Sequence, residues 1–128
     1  MAEPGPLTRT VLDYTRLIEA LAPAARSSAD WAPLAQYVAV DAFERVGTFL
    51  EVQNWEQYAE MLTQWAAAIT KFETTARRIS EMEDLVYYEI EERHFRGDTV
   101  HVVNSMTVFA FNDAGRINRL NVYLQHPR

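Results

Sequence analysis

The order of elements predicts an α+β fold, with helices first and an antiparallel meander after them. Three observations carry that expectation. Apolar residues recur every three to four positions through the first part of the chain and again after Asn54. From Lys71 onward β-branched and aromatic residues dominate, interrupted by turn signals such as Gly97-Asp98 and Asn112-Asp113-Ala114-Gly115. A run of helices followed by a run of strands packs as helices against one face of a sheet.

The 128 residues are read as a single domain, 1–128, long enough to bury a core without staples. A hydrophobic fraction of 48% and a charged fraction of 23% exclude a disordered chain and a coiled-coil rod. Twelve Lys and Arg against eighteen Asp and Glu leave a net charge of −6. That balance opposes phosphate binding, so no nucleic-acid partner is expected. Without cysteine there is no disulfide framework, thiolate metal site or cysteine nucleophile. The first residues show no leader pattern, and no stretch reaches the roughly 18 apolar residues of a membrane span, so a cytoplasmic, membrane-free protein is expected.

Residues 1–6 (MAEPGP) read as a frayed start. Val11, Tyr14, Ile18, Leu21 and Ala25 then form the stripe of a first helix, with Pro23 marking its break. Asp30 is placed to cap a short second helix with Pro33 in its first turn, burying Trp31, Leu34, Tyr37 and Val38. A short strand is expected over 41–46, then an irregular crossing near Gly47. Asn54 and Gln57 make a capping-box variant that opens a third helix. Trp55, Tyr58, Leu62, Trp65 and Ile69 form its apolar face, which reads as core. Strands follow over 72–80, 85–96, 99–112 and 116–125, with turns at 81–84, 97–98 and 112–115.

A two-residue Gly97-Asp98 turn pairs Arg96 with Thr99 and sets the hairpin register. His94 then faces His101, Glu92 faces Val103, Ile90 faces Ser105, Tyr88 faces Thr107 and Val86 faces Phe109. A next turn centred on Asp113-Ala114 sets Phe109 opposite Asn118 and Thr107 opposite Leu120. One face gathers Tyr88, Ile90, Phe109, Leu120 and Val122 together with Glu92, His94, His101, Ser105 and Thr107, and is assigned to the helices. The other face mixes Glu89, Glu91, Arg93 and Arg119 with Val100, Val102, Met106 and Val108. That apolar content argues for a homodimer.

The stretch SMTVFAFNDAGRINRLNVYL resembles a hairpin of the nuclear-transport-factor-like superfamily, which includes ketosteroid isomerases, SnoaL-like polyketide cyclases and limonene epoxide hydrolases. Phe109 and Phe111 supply its aromatic strand, Gly115 and Arg116 its turn, and Tyr123 its closing aromatic residue. ADWAPLAQYVAVDA (29–42) resembles the second helix and first strand of these proteins. The resemblance covers roughly 30–125 and implies a cystatin-like cone: three N-terminal helices in the concavity of a curved, mostly antiparallel sheet. It implies a small, largely apolar cyclic or polyketide-like substrate and a lyase, isomerase or cyclase of SnoaL-like type; with no Gly-rich phosphate loop and no dinucleotide fingerprint in the sequence, no cofactor is expected. The known catalytic sets do not carry over. The isomerase base position falls on Val46 and its protonated-acid position on Thr107. The hydrolase Arg position falls on Ile90 and one of its Asp positions on Val122, while the other falls near Glu92.

Glu92, His94 and His101 remain the sharpest chemical cluster. A histidine pair beside a carboxylate is an acid–base set, with a solvated group at the open end of a hairpin as the alternative. No accompanying motif makes it a metal triad, so no metal is expected. Glu44 faces the pocket or sits at the rim, depending on strand parity. Tyr14, Tyr88, Ser105, Thr107 and Phe109 are candidate substrate contacts, with core packing as the alternative for each. The alternative to an enzyme is a non-catalytic ligand-binding or protein-interaction dimer.

Overall fold

A computed structural model describes residues 5–127. Residues 1–4 of the expected frayed start lie outside the described residues; the other two are ordered. Gly5 is the N-cap of helix α1 (Pro6–Leu21), and Pro6 occupies its first turn, where a missing N–H costs nothing. The helix ends before Pro23, as ring sterics require. Thr8 donates backbone and side-chain bonds to Glu81, tying the helix start to the sheet.

The second helix is a 3₁₀ segment, Ser28–Gln36, with Ser27 rather than Asp30 at its N-cap. Asp30 sits three residues on, and its Oδ2 accepts from the backbone N–H of Arg26 and Ser27. Those bonds, Arg26 first, hold its carboxyl below the ordinary range. Residues 41 and 42 of the expected first strand belong to a short 3₁₀ turn (Val40–Ala42) instead, so β1 is only Glu44–Val46. An unforeseen β2 (Val52–Gln53) pairs with it. Helix α2 (Trp55–Ala67) starts at the expected Asn54–Gln57 capping box, with both reciprocal bonds at 2.9 Å.

Four longer strands complete the sheet: β3 (Lys71–Met82), β4 (Leu85–Arg96), β5 (Thr99–Phe111) and β6 (Ile117–Gln125). The six strands run in the order β2-β1-β6-β5-β4-β3. Every pairing is antiparallel except β1 with β6, which is parallel. The β4–β5 register matches the expected one along its length, including His94 opposite His101. Gly97 takes a φ of 58° that favours glycine, as the tight turn demands.

The β5–β6 register differs from expectation by two residues. Phe109 pairs with Leu120 and Thr107 with Val122. The loop runs from Asn112 to Arg116, closed by a 2.9 Å backbone bond, and a bulge lies between Ala110 and Phe111. A two-residue slip preserves side-chain parity, so the face assignment survives it.

Trp31, Leu34, Val11, Val38, Val86 and Ile117 are completely buried where the helices meet the sheet. The outer face carries a ladder of ion pairs, Arg78–Glu89, Arg77–Glu91 and Arg93–Glu91. Hydrogen bonds from Arg78 and Arg93 hold Glu89 and Glu91, respectively, below the ordinary carboxylate range. No described helix is long and apolar enough to cross a membrane.

Candidate functional site

The concave side of the sheet and the inner faces of α1 and α2 enclose a cavity of about 310 Å³, at the small end of the usual range for ligand pockets. Alternation along the strands aims Tyr88, Ile90, Glu92 and His94 of β4 into it, with Thr107 and Phe109 of β5. Helical spacing brings Tyr14 and Ile18 from α1, and Tyr58, Leu62 and Trp65 from α2. Most of the wall is apolar, and two hydrogen-bonded clusters hold its charged side chains.

The first cluster is a chain of four side chains. Trp65 Nε1 donates to His94 Nδ1 at 2.9 Å. Indole N–H can only donate, so Nδ1 must present its lone pair and the proton sits on Nε2. His94 Nε2–H in turn donates to Glu92 Oε1 at 2.9 Å, and Ser105 Oγ donates to Glu92 Oε2 at 2.5 Å. Glu92 and His94 are each 17% exposed. A carboxylate has about four acceptor positions, so Glu92 keeps unused lone pairs while both its oxygens are fixed in place. Trp65→Phe removes the indole donor but leaves the acceptor-only Glu92 carboxylate on Nε2, so the ring is expected to keep its Nε2–H tautomer with Nδ1 unbonded. Long-range ¹H–¹⁵N spectra of His94 test this; a shift to the Nδ1–H signature would show that the indole, not Glu92, sets the tautomer.

The second cluster joins two helices and β1. Tyr14 and Tyr58 hydroxyls meet at 2.8 Å in the interior. Burial pushes both phenols up, Tyr14 well above its ordinary value, so both stay protonated through neutral pH. Two hydroxyls carry two protons and one bridges the pair, which leaves one O–H to donate elsewhere. Arg45 lies over the Tyr58 ring, 5.6 Å from its centroid.

The candidates named from the sequence separate here. Glu92, His94, Tyr14, Tyr88, Thr107 and Phe109 line the cavity. Ser105 is buried behind Glu92 and reaches the cavity only through it. His101 is exposed and outside the lining. It pairs with His94 as expected, and its ring lies 6.2 Å from that of His94 and 6.1 Å from that of His126. Glu44 points outward to Arg119, at 3.2 Å. Strand parity therefore turns its neighbour Arg45 inward. Arg45, Tyr58 and Trp65 were not among the sequence candidates. The two aromatic residues read as core from helical spacing alone, and a three-residue strand offers no periodic signal to orient Arg45. Among the described residues, no group of three His, Asp or Glu side chains is gathered to hold a metal.

No family model and no curated protein matches the sequence. Solved structures do. A protein assigned as a SnoaL-like polyketide cyclase from Shewanella putrefaciens superposes with a TM-score of 0.74 at 8% identity, covering 95% of this chain and 81% of that one. An NTF2-like protein of unknown function from an Exiguobacterium species gives 0.71 at 15%, covering 91% and 98%. The chain has the SnoaL-like, NTF2-like fold. An LEH-like epoxide hydrolase of M. tuberculosis shares this fold, with a TM-score of 0.66 at 17% identity and coverage of 94% and 83%. So does a de novo designed protein with a curved β-sheet, at 0.64 and 10%, covering 97% and 88%. An NTF2-like cone is thus compatible with several activities and with none, and function must be argued from the side chains in it.

Proposed function

We propose that this NTF2-like chain is a general acid–base enzyme, a lyase, isomerase or cyclase of SnoaL-like type, acting on a small, largely apolar molecule in the cone. The observation that carries the reading is the Trp65–His94–Glu92–Ser105 chain on the wall of an apolar cavity. Glu92 is the base: it takes a proton from an activated carbon of the substrate and returns it at a second position or to a leaving group. His94 and Ser105 hold both carboxylate oxygens against rotation, which keeps the base in its reactive geometry. The free hydroxyl proton of the Tyr14–Tyr58 pair donates to the oxygen on which negative charge develops. Apolar walls exclude water and strengthen both interactions. The test is proton exchange: in D₂O the protein should accelerate deuterium uptake into a small cyclic ketone such as 2-tetralone, in a manner that depends on Glu92.

A second reading rests on the outer face of the sheet, where Val100, Val102 and Tyr123 are 47%, 39% and 57% exposed. We propose that a second copy covers them, whether or not the cavity is catalytic. Sedimentation over a dilution series is expected to give a dimer that Val102→Lys converts to monomer. A wild-type monomer at micromolar concentration would remove this reading.

A further inference from the structure

We propose that Arg45 makes the cavity selective for carboxylates: the ligand is a small apolar molecule carrying one carboxylate group, bound by the Arg45 guanidinium. The inference rests on the reading of the cavity as a small-molecule site, and it adds the class of molecule.

Arg45 is 9% exposed and lines the cavity. A buried cation needs a compensating partner. Its nearest carboxylate is that of Glu51, at 3.9 Å from Nη1, on a side chain 44% exposed. Its one side-chain hydrogen bond among the described residues runs from Nη1 to Gln53 Oε1 at 2.9 Å. A guanidinium has five N–H donors in a planar fork, so most of its donor capacity is unspent within the protein. The fork is nevertheless held in place, by the Gln53 bond on one side and the Tyr58 ring on the other. A fixed, underpaired guanidinium facing an apolar space matches a bidentate carboxylate.

The opposite charge in the cavity lies well away. Arg45 sits on β1 and Glu92 on β4, three strand spacings across the sheet, and the pairings set Arg45 level with Leu120, Phe109 and Val86, six residues from Glu92 along β4. A ligand anion at Arg45 therefore avoids the Glu92 charge, and the apolar wall between them takes the body of the molecule. Tyr58, whose ring lies against Arg45, feels the opposing fields of both charges.

Matched probes test the proposal: 3-cyclohexylpropanoate and its neutral amide, titrated against the whole protein and followed by tryptophan fluorescence, since Trp65 lines the cavity. The acid is expected to bind about 10- to 100-fold more tightly than the amide, the range for a hydrogen-bonded ion pair. Arg45→Met should abolish that preference, the acid losing far more affinity than the amide, and Arg45→Gln serves if the first variant does not fold. Glu92→Gln should keep the preference. Equal binding of acid and amide, binding of neither, or a preference that persists without Arg45 would overturn the inference. Loss of Arg45-dependent selectivity with Glu92-dependent exchange intact would sink this inference alone. The reverse result would sink the catalytic reading alone.

Discussion

Glu92→Gln is expected to slow deuterium uptake into 2-tetralone by about 100- to 10,000-fold, the usual contribution of a positioned general base. The variant should still fold, because the change is nearly isosteric and its neighbours can adapt. His94 can go on donating to the amide oxygen. The Ser105 hydroxyl, which accepts as readily as it donates, can turn to receive the amide N–H. What disappears is the capacity to hold an abstracted proton. NMR integration of the exchanging C–H against time measures the rate. Equal rates for variant and wild type would move the acid–base role away from Glu92. A wild type no faster than buffer would remove carbon-acid chemistry from the proposal.

The largest stability effect is expected at Trp31. Its side chain is completely buried, and its indole N–H donates to Thr63 Oγ1 at 3.1 Å. Thr63 itself donates to the Ala59 carbonyl of α2, so Trp31 ties the Ser28–Gln36 segment to that helix. Truncation leaves a large cavity in a region with little means of collapsing, and Trp31→Ala should cost about 3–5 kcal/mol. Against a typical total of about 5–15 kcal/mol, that approaches global unfolding. Trp31→Phe keeps most of the volume and loses only the bond to Thr63, so it should cost clearly less. Urea unfolding followed by far-ultraviolet circular dichroism gives both values. A loss below about 1 kcal/mol for the alanine variant would mean that the 3₁₀ segment is held mainly by other contacts.

Which features the sequence revealed follows from the range of the interactions that set them. The β4–β5 hairpin was legible residue by residue because a two-residue Gly97-Asp98 turn leaves no freedom in the pairing. The next hairpin was legible in face but not in register. Its five-residue loop and the bulge at Ala110/Phe111 each shift the pairing, and nothing local announces the bulge. Glu92 and His94 could be found by alternation along one strand. Their fixing could not, since Trp65 meets His94 only once α2 has docked on the sheet. The Tyr14–Tyr58 pair likewise depends on how two helices cross. Glu44 and Arg45 show the limit most clearly. Which of the two faces inward is decided by β6, which lies near the other end of the chain.

That parallel pairing also bears on the order in which the protein assembles. Helices, the β3–β4 hairpin and the β4–β5 hairpin are closed by neighbours in sequence and can form while synthesis is still under way. β1 has only the two-residue β2 beside it until β6 emerges from the ribosome. The wall that bears Arg45 is thus the last part of the cone to close, and a nascent chain that already holds the Trp65–His94–Glu92 chain still lacks its cationic end.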